Sequence, residues 1–267
     1  MYRSIAARVV LVGGGRDIYN ADLYRIAACG GVPLQIATKL TRFSAIAASA
    51  AGTAIASAPV DVDQISLLEN DVLVPLPDGE SPRGFTPAID AAGDVAYTTL
   101  TSDISKPFEL VRVTASGAKQ VSYESASPLS QPRFGPHGQV VVLEQPNQRG
   151  TLTPARTSYV VVVGGRALRR LPVTTPDVAG IVWIWSKDWL LVTSESAKGR
   201  IYSAMDGRAI GTLPAGWNAQ DMDQQSGQLL VIRDHKLAVV DVNVGHWILV
   251  DIPTGIPVYG AAWAPDG

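Results

Sequence analysis

The last seven residues, Ala261-Ala-Trp-Ala-Pro-Asp-Gly267, are a short apolar strand that runs directly into a turn. Similar strand-and-turn segments recur upstream, and the turns end at the following residues: Gly52, Gly93, Gly138, Asp188 and Gly227. Successive turn ends are 39 to 50 residues apart. A four-stranded β-propeller blade repeats about every 40–45 residues, so the spacing predicts a propeller.

The segments between these turns supply the other strands of each repeat. A second apolar strand follows each turn, over residues 53–58, 94–99, 139–143, 189–193 and 228–233. After a variable loop and a third strand comes a tight turn rich in Gly, Asn or Asp, as expected for two-residue hairpins. A fourth strand closes each repeat, over residues 33–39, 72–76, 118–122, 166–172, 208–213 and 246–252.

The two ends of the chain complement each other. Residues 263–267 are a first strand and turn, whereas residues 8–12 are a second strand with no first strand before it. We therefore predict a six-bladed, all-β propeller of four-stranded antiparallel blades, closed by pairing of the N- and C-terminal strands. The single domain, 1–267, has a composite first blade (260–267 with 7–40), followed by blades at about 43–77, 85–123, 132–173, 180–214 and 218–253.

The repeat resembles the TolB-like propeller family, a WD-type repeat. Residues 261–267 resemble its Trp-x-Pro-Asp-Gly turn, and residues 22–31 resemble its third strand and hairpin. Residues 134–138 and 185–188 are weaker copies, whereas 50–52 and 225–227 keep only the glycine. The resemblance implies the fold and a bacterial protein, but not a shared activity.

Residues 45–60 allow a second interpretation. Alanine is the best helix former, so the local composition favours a helix. The position within the repeat favours two short strands around residues 49–52, and we prefer the strands.

Composition limits the function classes. The 267 residues carry a formal net charge of −2 and one cysteine. The charge argues against a nucleic-acid partner, and the single cysteine excludes a disulfide framework and a Cys-based zinc cluster. No apolar stretch approaches the roughly 18 residues of a membrane span, and no secretory pattern is present. We expect a monomer that is cytoplasmic as given, or periplasmic or extracellular if an export signal was removed.

Chemical motifs are absent or misspaced. The glycines of residues 10–16 lack dinucleotide-site spacing, because Ile18 stands where a glycine is needed. The three histidines have no zinc-ligand spacing, and no G-x-S-x-G nucleophile elbow occurs. TolB-like propellers are often joined to serine peptidase domains, and none is visible here. We therefore assign no catalytic residue, metal or cofactor.

The loops between second and third strands are the predicted binding face, since in propellers they usually surround the channel mouth. Residues 145–156 form the longest of these loops, and Asp234 beside His235 could act as a general acid–base pair. Polar loops also arise simply because loops face solvent. The ligand-binding candidates are Arg16, Asp17, Tyr19, Asp61, Asp103, Arg149, Arg156, Glu195, Asp234 and His235.

Three of the six tryptophans invite structural predictions. Strand alternation places Trp183 and Trp185 on one side of a strand, where both should pack between blades. Trp217 follows in a loop between blades, where we expect an exposed aromatic that could mark an interface.

Three functions remain open. We favour a non-catalytic binding or scaffolding propeller that recognises a protein segment or polar small molecule at the channel mouth. The alternative is a lyase or hydrolase, which needs at least two of Asp61, Asp103, Glu195, Asp234 and His235 to converge. The third is a propeller fragment of a larger TolB-like surface or periplasmic protein.

Overall fold

A computed structural model describes residues 9–15, 21–27, 32–40, 43–57, 64–69, 72–76, 85–145, 158–164, 168–175, 177–242 and 249–264. Apart from two short 3₁₀ turns, Pro136–Gly138 and Trp185–Lys187, the regular structure in these ranges is β. The strands are β1 Val9–Gly15, β2 Ala21–Ala27, β3 Leu34–Leu40, β4 Phe43–Ser49, β5 Gly52–Ser57, β6 Gln64–Glu69, β7 Val72–Pro75, β8 Phe85–Ile89, β9 Val95–Leu100, β10 Phe108–Val113, β11 Lys119–Ser125, β12 Leu129–Phe134, β13 Val140–Glu144, β14 Ser158–Val163, β15 Arg169–Val173, β16 Val178–Ile184, β17 Trp189–Ser194, β18 Lys198–Ser203, β19 Ala209–Ala215, β20 Asn218–Asp223, β21 Gln228–Arg233, β22 Lys236–Asp241, β23 Leu249–Ile252 and β24 Val258–Trp263.

The fold is an all-β propeller with four-stranded antiparallel blades. Within the described ranges, the strands form six sheets: β24-β1-β2-β3, β4-β5-β6-β7, β8-β9-β10-β11, β12-β13-β14-β15, β16-β17-β18-β19 and β20-β21-β22-β23. The first strand of each sheet contacts the first strand of the next in the cyclic order β4, β8, β12, β16, β20, β24 and back to β4. In the first sheet β24 pairs with β1, with Leu11 opposite Ala262 and Val12 opposite Ala261.

The hydrophobic core lies between neighbouring sheets. One cluster joins Val141 and Val160 of one sheet to Ile181, Trp183 and Leu190 of the next. Both faces of a blade are covered, so its middle strands are apolar at nearly every position rather than at alternate ones. All residues of β13, Val-Val-Val-Leu-Glu, are buried.

The turns after the first strands follow the sequence expectation. Gly93, Gly138 and Gly227 have φ values of +86°, +70° and +75°, and Asp188 has +51°. This left-handed conformation explains why glycine recurs at the turn ends. Strands β4 and β5 lie on either side of the Ala50–Ala51 turn, so over residues 45–57 the helix alternative is wrong and the strand interpretation is confirmed. Residues 58–60 lie outside the described residues.

A register shift interrupts the pairing between the first and second strands of every described sheet. It falls between residues 43 and 45 of β4, 85 and 88 of β8, 130 and 133 of β12, 178 and 180 of β16, and 219 and 221 of β20. In the first sheet it falls between Gly13 and Gly14, opposite residues 258–260 of β24. Such bulges leave backbone groups unpaired and re-aim the side chains beside them. Because the bulges lie in the first strands, the unpaired backbone groups and the redirected side chains lie along the channel.

Candidate functional site

A cavity of about 340 Å³ opens at the end of the channel that carries the turns between first and second strands. Each of the six first strands contributes to its wall, through the following residues among others: Ile46, Ile89, Arg133, Trp183, Asp221 and Trp263. The turn residues Trp185, Gln224 and Gln225 also line it. The cavity is therefore built by the whole ring rather than by one blade.

Four charged residues line the cavity: Asp90 directly after β8, Arg133 on β12, and Asp221 and Asp223 on β20. Two of them, Arg133 and Asp221, lie directly after a bulge. Arg133 follows the shift in β12, and Asp221 follows the shift in β20. Arg133 Nη1 donates to the Pro132 carbonyl at 2.9 Å, and Nη2 reaches across to the Gln220 carbonyl at 3.0 Å. These two bonds hold the guanidinium within the channel.

Asp221 is held in the same way by backbone donors. Its Oδ2 accepts the N–H of Trp263 at 2.9 Å, and its Oδ1 accepts the N–H of Met222 at 2.8 Å. The carboxylate therefore links β20 to β24 across the blade boundary. Both Asp221 and Arg133 keep part of their surface exposed, and both line the cavity.

Burial shifts the pKa values of both groups towards their neutral forms. Desolvation raises the pKa of Asp221, although the Trp263 N–H, the Arg133 charge and the Met222 N–H oppose the shift. Desolvation lowers the pKa of Arg133, opposed by the charge of Asp221. Within the described residues, Arg133 Nε is buried without a hydrogen-bond partner. The charge of each group therefore offsets only part of the desolvation of the other.

Gln131 occupies the bulge of β12 and satisfies backbone groups of the next blade. Its Nε2 donates to the Ala179 carbonyl at 2.8 Å, and its Oε1 accepts the Ile181 N–H at 2.8 Å. Its own N–H donates to Thr86 Oγ1 at 3.0 Å. Gln131 thus connects three successive first strands, through its side chain to β16 and through its backbone N–H to β8.

Thr193 has the equivalent role between the next two blades. Its fully buried hydroxyl accepts the Ala219 N–H at 3.0 Å and donates to the Gly180 carbonyl at 3.2 Å. The backbone groups freed by the bulges are therefore paired by side chains, as buried polar groups require. These bonds fix the spacing of the strands that form the cavity.

The cavity wall is uneven around the ring. On β24, β4 and β8 and their turns the lining is dominated by small side chains, including Ala47, Ala48, Ala50, Ala88, Ala91 and Ala264. On the opposite half, β12, β16 and β20 supply larger side chains, including Arg133, Trp183 and Met222.

Six of the predicted binding residues lie outside the described residues: Arg16, Asp17, Tyr19, Asp61, Arg149 and Arg156. Of the others, Asp103 is exposed and accepts the N–H and hydroxyl of Ser105 at 2.8 and 2.7 Å. The Ser105 hydroxyl lowers the pKa of Asp103. Glu195 accepts a long, 3.5 Å bond from Asn218 Nδ2. Asp103 thus bonds within its own loop, whereas Glu195 contacts the first residue of β20.

Asp234 and His235 form the two-residue turn between β21 and β22. Their φ values are +50° and +58°, and both are exposed. The His235 ring packs edge-on against Tyr259 with the centroids 5.1 Å apart. They line a separate cavity of about 410 Å³ with residues 251–257. A binding role for the four described candidates stays a prediction, because none of them lines the central cavity.

Sequence reasoning placed the binding face at the loops between second and third strands, and so missed the central cavity with Arg133 and Asp221. A usable signal was Pro132, since proline inside a strand marks an edge or a bulge. The bulge then turns the next side chain, Arg133, into the channel.

The tryptophan predictions were partly wrong. Trp183 is buried between two sheets, as expected. Trp185 is 41% exposed, because β16 ends at Ile184 and the following 3₁₀ turn breaks the strand alternation. Trp217 is only 1% exposed: the chain turns at Gly216, and the indole packs with Leu213 and the next sheet. Its expected exposure as an interface aromatic is wrong.

Metal-ligand clusters and membrane-spanning helices are both absent from the described residues. His, Cys, Asp and Glu nowhere gather in threes as potential metal ligands in the ranges that the structure describes. Those ranges also hold no helix with the length and apolar character needed to cross a bilayer.

The fold and cavity define the class: a β-propeller with Arg133 and Asp221 in the wall of a cavity at one end of its channel. Among solved structures, TolB from Acinetobacter baumannii is similar, with a TM-score of 0.73 and 14% identity, covering 97% of this chain and 67% of TolB. A chain of a nidogen/laminin complex matches with a TM-score of 0.69 and 8% identity, over 97% of this chain and 98% of that one.

Puromycin hydrolase matches with a TM-score of 0.59 and 16% identity, over 93% of this chain and 45% of the hydrolase. These likenesses show the propeller fold alone. No protein-family model matches the sequence, and no curated protein matches it.

Proposed function

We propose that the protein is a non-catalytic binding propeller that takes a protein segment or a polar small molecule into the cavity at the first-to-second-strand turns. The single observation that carries the proposal is the cavity itself, which combines about 340 Å³ of space with the Arg133 and Asp221 charges in its wall. Concave, mostly apolar sites with a few fixed polar groups are typical of ligand binding.

The rigidity of the lining supports this function. Arg133 and Asp221 are each held by two hydrogen bonds, and Gln131 and Thr193 hold the strands around them. A site arranged before the ligand arrives loses less entropy on binding. The apolar wall offers burial, and the polar pair offers orientation.

Enzymatic chemistry lacks comparable support within the described residues. The alternative needs at least two of Asp61, Asp103, Glu195, Asp234 and His235 to converge. Of the four that the structure describes, Asp234 and His235 are neighbours that line the separate cavity with residues 251–257, whereas Asp103 bonds to Ser105 and Glu195 to Asn218. The likeness to puromycin hydrolase concerns the fold and spans less than half of that chain.

A variant that closes the cavity tests the binding function. Ala50 is exposed in the turn after β4 and lines the cavity, so Ala50→Phe should obstruct the opening without unfolding the chain. The matched control is Ala118→Phe, an equally exposed alanine in another turn. Wild type and both variants are screened by thermal shift against peptides, sugars and nucleotides.

We expect ligands that raise the melting temperature of wild type and Ala118→Phe but not of Ala50→Phe. Ligands that stabilise all three proteins equally bind elsewhere, and would refute the assignment to this cavity. A screen in which nothing binds wild type would refute the function for these ligand classes.

We also propose that the ring has six blades and is closed by the pairing of β24 with β1. The cyclic contacts of the six first strands and the β1–β24 register support it. Hydrogen exchange of β1 amides should be slow in the full chain and fast in a chain lacking residues 258–267, with β21 amides as the internal control. Equal exchange of β1 in both chains would refute the closure.

A further inference from the structure

Arg133 and Asp221 offer hydrogen-bond donors and acceptors in the same part of the cavity wall. Arg133 reaches the residue before Asp221, since its Nη2 donates to the Gln220 carbonyl at 3.0 Å. Each terminal nitrogen of a guanidinium carries two N–H groups, and the described contacts of Arg133 use one on each. Each Asp221 oxygen accepts one backbone N–H and keeps a further lone pair. Within the described residues no hydrogen bond or ion pair joins the two side chains directly, so a group that both donates and accepts can bond to both.

A hydroxyl is such a group, because it donates one hydrogen bond and accepts others. It also suits the charges of the wall. An anion would meet three carboxylates, Asp90, Asp221 and Asp223, against one guanidinium. A cation that bonded to Asp221 would lie close to the Arg133 charge, which already acts on that carboxylate. A neutral hydroxyl avoids both repulsions.

Trp185 adds a fixed apolar surface beside this pair. The residue lines the cavity and is 41% exposed. Its indole Nε1 donates to the carbonyl of Phe134, the residue after Arg133, at 3.3 Å. Its backbone N–H donates to Gln224 Oε1 at 3.0 Å, in the turn that follows β20. Trp185 is therefore tied to both elements that carry the pair, and its exposed surface can receive a flat apolar face of a ligand.

We propose that the ligand of the cavity is a neutral saccharide. A sugar ring combines an apolar C–H face with hydroxyl groups around its edge, so the face lies against Trp185 and the hydroxyls bond to Arg133 and Asp221. The cavity volume of about 340 Å³ is at the low end for small-molecule sites, which suits one or two rings. The proposal rests on the proposed function of the cavity and names the chemistry of its ligand. The ring can be a free sugar or the end of a longer glycan.

Sugars of equal shape and different charge test the ligand class. The methyl glycosides of glucose, galactose and mannose are titrated into the full chain by calorimetry, and the one that binds is compared with its 6-carboxylate and 6-amino analogues. We expect at least one neutral glycoside to bind with a Kd of about 1 mM or tighter. Its 6-carboxylate should bind about tenfold more weakly, and its 6-amino analogue no more tightly than the neutral sugar. A trisaccharide that ends in the same sugar distinguishes the two sources: tighter binding than the methyl glycoside assigns the end of a glycan, and weaker binding assigns the free sugar.

Three variants assign the contacts. Trp185→Leu removes the aromatic surface and should weaken glycoside binding about tenfold, whereas Trp185→Phe keeps a ring and should retain most of it. Asp221→Asn replaces an acceptor oxygen by a donor and should also weaken binding about tenfold. Asp206→Asn is the control and should bind like wild type. Asp206 is exposed in the turn between β18 and β19, and the asparagine carbonyl can still accept the Arg208 N–H that Asp206 Oδ1 accepts at 3.1 Å.

If a variant fails to fold, saturation-transfer NMR decides in the wild-type protein. In a chain deuterated everywhere except at its tryptophans, saturation should pass from indole protons to the ring C–H protons of the bound sugar. A sugar that binds without this transfer does not lie on an indole, and the proposal fails. Tighter binding of a charged analogue, or no binding of the neutral glycosides at millimolar concentration, overturns the saccharide and leaves the cavity its proposed function. That function fails only if no ligand of any class binds.

Discussion

Replacing Thr193 by valine removes one hydroxyl from between two blades and keeps the side-chain shape. In the folded protein this hydroxyl is the acceptor for the buried Ala219 N–H, at 3.0 Å, and donates to the Gly180 carbonyl. A valine leaves that N–H buried with no partner. An unsatisfied buried donor costs about 1–3 kcal/mol, so we expect Thr193→Val to lower the free energy of unfolding by about 2 kcal/mol.

Urea denaturation measures this change. The midpoint should fall while the slope stays constant, since the exposed surface area is the same. In a thermal melt the same loss corresponds to roughly 4–8 °C for a chain of this size. Thr193→Ser keeps the hydroxyl and should lose only about 1 kcal/mol for the missing methyl group.

Thr212→Val is the matched control, because Thr212 is exposed on β19 and its replacement should change stability by less than about 0.5 kcal/mol. A Thr193→Val protein as stable as wild type would refute the reasoning. So would a serine variant that is no more stable than the valine variant, because the hydroxyl would then contribute nothing.

Three further perturbations test other parts of the structure. Trp217→Ala should lower the free energy of unfolding by about 3–5 kcal/mol and Trp185→Ala by much less, measured by urea denaturation; similar losses would contradict the burial of Trp217. Gly180→Ala should cost at least 1–3 kcal/mol, because its new Cβ would meet the Ala219 carbonyl oxygen and lie 2.8 Å from the Ala219 nitrogen; an unchanged denaturation midpoint would contradict this contact. Because burial raises the pKa of Asp221, the native state holds that proton more tightly than the unfolded chain, and this group's contribution to stability is lost as pH rises from about 4 through the native pKa. Urea midpoints measured from pH 4 upwards should therefore fall less steeply for Asp221→Asn than for wild type, and parallel profiles would show that the carboxyl does not titrate as inferred.

The strands were predictable because apolar segments and turn glycines carry local signals. The β4–β5 hairpin shows that repeat position can outweigh helix propensity: alanine favours a helix in isolation, whereas packing against the neighbouring sheets decides the strand. Helix propensity differs by less than about 1 kcal/mol per residue among most amino acids, so tertiary contacts override it.

The central cavity was not predictable in the same way, because bulges in separate blades assemble it. Arg133 and Asp221 are 88 positions apart and come together only through the ring. The predictions for Trp185 and Trp217 were wrong for a related reason. Each residue follows a break in the strand pattern, at the end of β16 and at Gly216, so strand alternation does not predict the direction of its side chain.

The alanines of the cavity wall make the width of the site sensitive to single substitutions. The exposed methyl groups of Ala50 and Ala91, in the turns after β4 and β8, can be exchanged for longer side chains that would narrow the cavity while leaving Arg133 and Asp221 in place. The size of the ligand and its contacts with Arg133 and Asp221 would then depend on different residues. A lineage carrying this propeller could change the girth of what it accepts by single substitutions, without rebuilding the polar centre.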